Sequence, residues 1–111
     1  MPRDYKVQLE DILDAVQKIR SYTAGLSYED FRESSMVVDA VVRNLEVIGE
    51  ATKQIPDSIR ARKPEVPWKR MAGLRDILIH NYFGIDFEVI WDIITNKLAP
   101  LAENVSELLA E

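Results

Sequence analysis

Apolar residues recur three and four positions apart along most of the chain, and this spacing constrains the fold more than any other feature. It predicts a helix over about residues 4–22, a second long helix over 34–54, a motif helix over 67–80 and a last helix capped by Asp86. No segment shows the alternation of a strand. The sequence therefore predicts an all-α fold, an antiparallel helical bundle formed as one domain over residues 1–111.

Local signals predict several helix ends. Ser27, with an aspartate three residues later, has the pattern of a capping box that opens a short helix. Asp57 or Ser58 is predicted to cap a short basic helix, and Pro67 to occupy the first position of the motif helix. Pro100 lacks an amide hydrogen, so it should kink or divide the last helix.

The amino-acid composition excludes several classes of protein and of site. The 111 residues include no cysteine and one histidine, so disulfides, a cysteine nucleophile and a zinc site built from His and Cys are excluded. Charged residues interrupt every apolar stretch before it could span a membrane, and the first residues do not begin a signal peptide. We expect a cytoplasmic protein without a metal or another cofactor.

The net charge of −5 argues mildly against a general nucleic-acid binder, but its distribution is uneven. Within residues 57–75, six cations against two anions give +4, which leaves −9 for the rest of the chain. The cations are Arg60, Arg62, Lys63, Lys69, Arg70 and Arg75. The segment is either a solvated surface or an electrostatic footprint for RNA, another phosphate ligand or a partner.

The stretch 74–84 carries the only histidine, His80, within a mostly apolar run. On an unbroken helix, two neighbouring stripes of this stretch would be largely apolar, which predicts burial against several neighbours. Arg75, Asp76 and His80 should then lie at or near packed surfaces. The structural interpretation is that Arg75 caps or pairs with a carboxylate and that His80 is a satisfied histidine near the core.

The wider pattern resembles a known family. Arg75, four residues, His80, one residue and Tyr82, followed by Phe-Gly, resembles the signature of the HEPN superfamily, and specifically of the HepT-like toxins. The residues that match the family's blocks, in the family's order, are 44–51, 67–68, 71–76 and 90–91. The resemblance implies an all-helical HEPN domain that forms a two-fold homodimer.

The resemblance also implies a metal-independent endoribonuclease. Attack of a 2′-hydroxyl on its own phosphate needs a base, an acid and a cation for the phosphorane. One histidine cannot fill the first two roles at once, whereas a symmetric dimer brings together two copies of His80. In this composite site Arg75 would stabilise the phosphate charge, Asp76 would fix the tautomer of His80, and Asn81 could donate to a phosphate oxygen.

The helix before the motif carries a polar stripe in which intrahelical ion pairs are expected. Glu50 belongs to that stripe, and the alternative is that it orients Arg75 or His80. Tyr82 is either a half-buried aromatic residue or a regulatory site. By resemblance, it would accept adenylate groups from a minimal nucleotidyltransferase antitoxin of the MntA type, which would silence the toxin. The competing function is a non-catalytic binding or regulatory subunit of a nucleotidyltransferase.

Overall fold

The computed structural model describes residues 4–78 and 84–111, and the described chain is helical almost throughout. The helices are α1 (Tyr5–Thr23), α2 (Tyr28–Glu33), α3 (Ser35–Lys53), α4 (Asp57–Arg60), α5 (Trp68–Ala72), α6 (Leu74–Leu78), α7 (Phe87–Asp92) and α8 (Leu98–Ala110), with a π-helical turn at Ile93–Lys97 between α7 and α8. Neither described range contains a β-strand, which confirms the predicted all-α class. None of the helices described is both long and apolar enough to cross a bilayer.

The core lies where α1 packs against α3 and α8. Each of these helices turns its apolar stripe inward, as the spacing of three and four residues requires. The largest side chains that are fully buried are Leu9, Ile12, Val16, Ile19, Phe31, Val41, Leu45, Ile48, Leu78, Ile90, Leu98 and Leu108. Burial of one such side chain contributes about 1.5–3 kcal/mol, so this cluster holds the long helices together.

Several predicted helix starts are confirmed by side-chain caps. Ser27 accepts a hydrogen bond from the backbone N–H of Asp30, whose carboxylate accepts one from Ser27 N–H in return, so the capping box of α2 is complete. Ser34 caps α3 by accepting from Val37 N–H, and Asp86 caps α7. These starts depend on residues within one turn, which explains why the sequence predicts them.

The predicted cap of α4 is wrong. Neither Asp57 nor Ser58 caps this helix, because Pro56 occupies the N-cap position with an extended backbone. The carbonyl of Pro56 accepts hydrogen bonds from Ile59 and Arg60 N–H. The prediction assumed that a side-chain oxygen caps this helix, whereas the helix begins at Asp57 without a side-chain cap.

The last helix is divided, as the proline predicted, but the irregular turn precedes Pro100. The π-helical turn at Ile93–Lys97 joins α7 to α8, and Pro100 lies in the first turn of α8. The Leu98 N–H donates to the Ile93 carbonyl across the π turn, so helical hydrogen bonding continues from this turn into α8. The division is therefore a π-helical turn just ahead of the proline, which itself supplies no N–H to the helix.

Candidate active site

The predicted motif helix over 67–80 is broken in the structure. It begins at Trp68 rather than Pro67, and α5 ends at Gly73, where α6 starts with Leu74. The Gly73 N–H donates to Arg70 O at 3.1 Å, and the Gly73 carbonyl accepts from Asp76 and Ile77 N–H. Gly73 is thus both the end of one helix and the start of the next.

Gly49 of α3 allows the backbone of α5 to pack closely against α3. A Cβ built on Gly49 would lie 3.1 Å from the carbonyl oxygen of Met71 and 3.7 Å from Cβ of Leu74. A backbone oxygen cannot give way as a flexible side chain can, so any larger residue would push α5 outward. Gly49 therefore sets the distance between the motif and the core, a role that the sequence pattern does not disclose.

The break changes which residues face the core. Trp68, Met71, Leu74 and Leu78 are buried, whereas Arg75 is exposed. Asp76 is also exposed, so the expectation that these two polar residues lie at packed surfaces is wrong. The reason is the new helix start: Leu74 and Leu78, four residues apart, take the inward positions of α6. His80, Asn81 and Tyr82 lie outside the described residues.

Arg75 has no hydrogen bond or ion pair to another residue of 4–78 or 84–111. Glu50 is exposed and instead accepts a hydrogen bond from Lys53 Nζ at 3.1 Å, as expected for an intrahelical pair. An exposed guanidinium with free donors can bind a phosphate through two parallel hydrogen bonds. Within the described chain, Arg75 is available for that contact.

The first half of the basic segment has intramolecular partners. Arg60 donates from its guanidinium to the carbonyls of Thr52 at 2.7 Å and Ile55 at 3.1 Å, and so satisfies the C-terminal end of α3. Arg62 pairs with Glu111 at 2.7 Å, and Lys63 pairs with Glu107. We call Arg60, Arg62 and Lys63 the paired cluster.

The backbone of the paired cluster is fixed as well. The indole N–H of Trp68 donates to the carbonyls of Arg60 and Lys63, at 3.1 and 3.0 Å. Lys63 donates from its ammonium to the Glu107 carboxylate, which raises its pKa above the ordinary value of 10.5. The turn that precedes the motif is therefore tied both to α5 and to α8.

The second half of the basic segment differs. Lys69, Arg70 and Arg75 are exposed and form no ion pair with any residue in the described ranges. We call these three the open cluster. Lys69 and Arg70 lie on α5 and Arg75 on α6, which follows directly, so the open cluster leads along the chain into the motif. Predicted binding of RNA or a partner through Arg60, Arg62, Lys63, Lys69 and Arg70 stays a prediction, and the open cluster holds the uncommitted charges.

An open groove of about 450 Å³ runs beside the motif, between α3, α5 and α6 on one side and α7, the π turn and α8 on the other. Its lining is mostly apolar and includes Met71, Ile77 and Val89, with Arg70 and Lys97 among the polar residues. At the start of α3, Met36 is 79% exposed.

Across the described residues, no group of three or more His, Cys, Asp or Glu side chains could hold a metal ion.

The chain resembles known proteins along nearly its whole length. A family model described as "Ribonuclease HepT-like" matches residues 12–108. "Probable ribonuclease HepT" of Thermococcus cleftensis is 41% identical, with 97% of this chain and 98% of the relative covered. "Putative RNase MJ0127" of Methanocaldococcus jannaschii is 42% identical, with 100% and 93% covered. No solved structure matches the chain.

The all-helical fold and these relatives together define the class, a ribonuclease of the HEPN type. Within that class, the chain belongs to the HepT-like ribonuclease family.

Proposed function

We propose that the protein is the toxin of a cytoplasmic toxin–antitoxin pair, a metal-independent endoribonuclease whose active site forms between two copies of the chain. The observation that carries this proposal is the family match over residues 12–108, combined with an exposed Arg75 that has no partner within the described chain. We assign this function to a single HEPN domain over residues 1–111.

Each step of the reaction is assigned to a residue of the motif. One copy of His80 takes the proton from the attacking 2′-hydroxyl, and the other gives a proton to the leaving 5′-oxygen. Arg75 stabilises the charge on the phosphorane, where a positioned donor contributes most. Asp76 orients His80, and Asn81 donates to a phosphate oxygen. Glu50, which pairs with Lys53 in the described chain, would have to exchange that partner to orient His80.

The surfaces beside the motif support a dimer. The mostly apolar groove next to α5 and α6 leaves Ile77 and Val89 half-buried, and a second copy would cover them. A two-fold interface brings the same residues from both chains together, which supplies the second histidine. Lys69 and Arg70 would then guide the RNA towards Arg75 by charge.

Regulation is assigned to Tyr82. An MntA-type nucleotidyltransferase would transfer adenylate to its hydroxyl, and each added phosphodiester would compete with RNA for Arg75. This part of the proposal is supported by the family of the chain and by the match of the Arg-x4-His-x-Tyr pattern.

The test is cleavage of a labelled RNA in excess EDTA by the protein expressed without any partner. We expect cleavage by the natural protein and its loss in His80→Ala and Arg75→Ala. Arg20→Ala is the matched control, because Arg20 is an exposed arginine of α1, which packs mainly on α3 and α8. A 2′-O-methyl RNA should remain intact, since it lacks the nucleophile. Intact mass establishes that Tyr82 carries no adenylate.

A second arm tests the shared site. The natural protein is unfolded and refolded with an excess of His80→Ala chains, so that most natural chains enter mixed dimers. A composite site that needs both histidines then loses far more activity than dilution explains. A loss that follows dilution alone would contradict the composite site. Unmodified protein that leaves RNA intact would contradict the nuclease and favour the binding or regulatory subunit.

A further inference from the structure

A second concave site lies where α2 meets the residues that follow the motif in the sequence. This cleft has a volume of about 350 Å³ and is lined by Tyr28, Arg32, Gly84, Ile85, Asp86, Phe87 and Glu88. The cleft is shallow and open to solvent, and its volume is near the lower end of the range of ligand sites, roughly 300–1,000 Å³, so it has room for no more than one nucleotide. Apart from Gly84, the last residue of the stretch 74–84, none of these residues belongs to the motif or to the basic segment.

The cleft begins where the motif ends. Gly84 lies four residues after His80 along the chain. A chain of four residues reaches at most about 14 Å. The cleft therefore starts within a few nucleotides of any phosphate that His80 acts on.

One wall of the cleft is a supported aromatic ring. The ring of Tyr28 lies 6.0 Å from that of Trp91, measured between centroids, and Trp91 in turn lies 5.4 Å from Phe31. Phe31 is fully buried. Tyr28 is therefore held in place from behind while it lines the cleft, the arrangement of a side chain on which an unpaired base stacks.

A second wall offers a positioned cation. The guanidinium of Arg32 lies over the ring of Phe87, with 5.7 Å between its central carbon and the ring centroid. Arg32 is exposed and pairs with no carboxylate of the described residues. The cation–π contact with Phe87 holds the guanidinium beside the cleft and leaves its N–H donors free. Such a group binds one phosphate.

Carboxylates accompany this cation in the cleft. Asp86 Oδ1 already accepts from Val89 N–H as the cap of α7. Glu88 is exposed, and α2 itself carries Glu29, Asp30 and Glu33 beside Arg32. A carboxylate accepts hydrogen bonds from the amino group of a base and repels phosphate. The mixed signs therefore fit a single nucleotide, with its phosphate at Arg32, better than a polyphosphate.

We propose that this cleft is a subsite for one unpaired nucleotide of the RNA, whose base stacks on Tyr28 and whose phosphate is bound by Arg32. The assignment of the ligand as RNA rests on the proposed function. The subsite would set the direction and register in which a single strand crosses the active site. Duplex RNA would not enter, because its bases are already stacked.

The test is binding of a fluorescent 2′-O-methyl single-stranded RNA, which binds without being cleaved, followed by anisotropy at several salt concentrations. Arg32→Ala should weaken binding and reduce the slope of log K against log salt by about 0.7, the value for one phosphate contact on a single strand. Arg32→Lys should keep the slope. Tyr28→Ala should weaken binding about 10-fold with the slope unchanged, and Tyr28→Phe should bind normally.

Two exposed residues of α1, Arg20 and Tyr22, provide matched controls, and their alanine variants should bind as the natural protein does. Natural affinity and slope in both Arg32→Ala and Tyr28→Ala would overturn the subsite. Equal weakening by Tyr28→Phe and Tyr28→Ala would overturn the stacking role. If RNA is not cleaved but binding depends on both residues, the nuclease fails and the subsite stands. If RNA is cleaved but its binding depends on neither Tyr28 nor Arg32, the nuclease is supported and the subsite is overturned.

Discussion

The paired cluster and the open cluster have the same kinds of residue within one short segment, yet they meet different surroundings. Arg60 donates to carbonyls at and just after the end of α3, whereas Arg62 and Lys63 donate to carboxylates at the end of the chain, Glu111 and Glu107. The open cluster, a few residues later, is exposed and has no partner in the described chain. The difference teaches that basic charge alone does not define a phosphate-binding surface; what counts is whether the protein already uses its donors.

The largest effect should come from the open cluster, at Arg75. We expect Arg75→Ala to lower the rate of RNA cleavage about 10²–10³-fold, the usual cost of removing one donor to a charged transition state. The free energy of unfolding should change by less than about 0.5 kcal/mol, because the side chain is exposed. Single-turnover cleavage and urea unfolding measure the two quantities. A parallel loss of both would mean that Arg75 is structural, which would break the comparison.

The paired cluster should show the opposite pattern at Arg60. Arg60→Ala leaves the carbonyls of Thr52 and Ile55 without their charged donor, so we expect the free energy of unfolding to fall by about 1–3 kcal/mol. The rate of cleavage per folded molecule should not change. Arg62→Ala is the control, because its surface pair with Glu111 contributes only about 0–1 kcal/mol. Slow cleavage by fully folded Arg60→Ala would show that this arginine also serves the reaction.

A smaller effect should separate the clusters in RNA binding. The double variant Lys69→Ala with Arg70→Ala should reduce the slope of log K against log salt by about 1.4 for a single-stranded RNA, because two phosphate contacts are lost. Arg62→Ala should leave the slope as it is, since this arginine is already paired with Glu111. Anisotropy titrations of 2′-O-methyl RNA supply the slopes. Equal slopes for the natural protein and the double variant would exclude the open cluster from RNA binding.

The sequence predicts what depends on near neighbours. The all-α class, the starts of α2, α3 and α7, and the Glu50–Lys53 pair all depend on residues within one helical turn, and all are confirmed. The break at Gly73 was not predicted, and beside it α5 packs closely on Gly49, more than twenty residues earlier in the sequence. The spacing of apolar residues within one helix carries no information about a contact between two helices.

The same limit applies to the candidate site. The basic residues stand out by type, but the partners of Arg62 and Lys63 lie 49 and 44 residues away. The cleft of Tyr28 and Arg32 brings together α2 and α7, which are far apart in the sequence. The Arg-x4-His-x-Tyr motif is recognisable from its likeness to a family. The side chains that surround it in the fold depend on packing between distant segments, which the sequence pattern does not show.

The smallest effect concerns pH and Lys63. Its pKa is raised because Lys63 donates to the Glu107 carboxylate, so the folded state holds this proton more tightly than the unfolded state does. The stability from this pair should therefore be fully present below the ordinary pKa of 10.5 and be lost as the pH rises through the raised pKa. Urea unfolding of the natural protein and of Lys63→Gln should show a small difference at pH 8 that closes above pH 10.5. Glu107→Gln should behave like Lys63→Gln. A difference that persists at high pH would mean that Lys63 contributes by packing rather than by charge. The ion pair with Glu107 would then not be what distinguishes Lys63 from the residues of the open cluster.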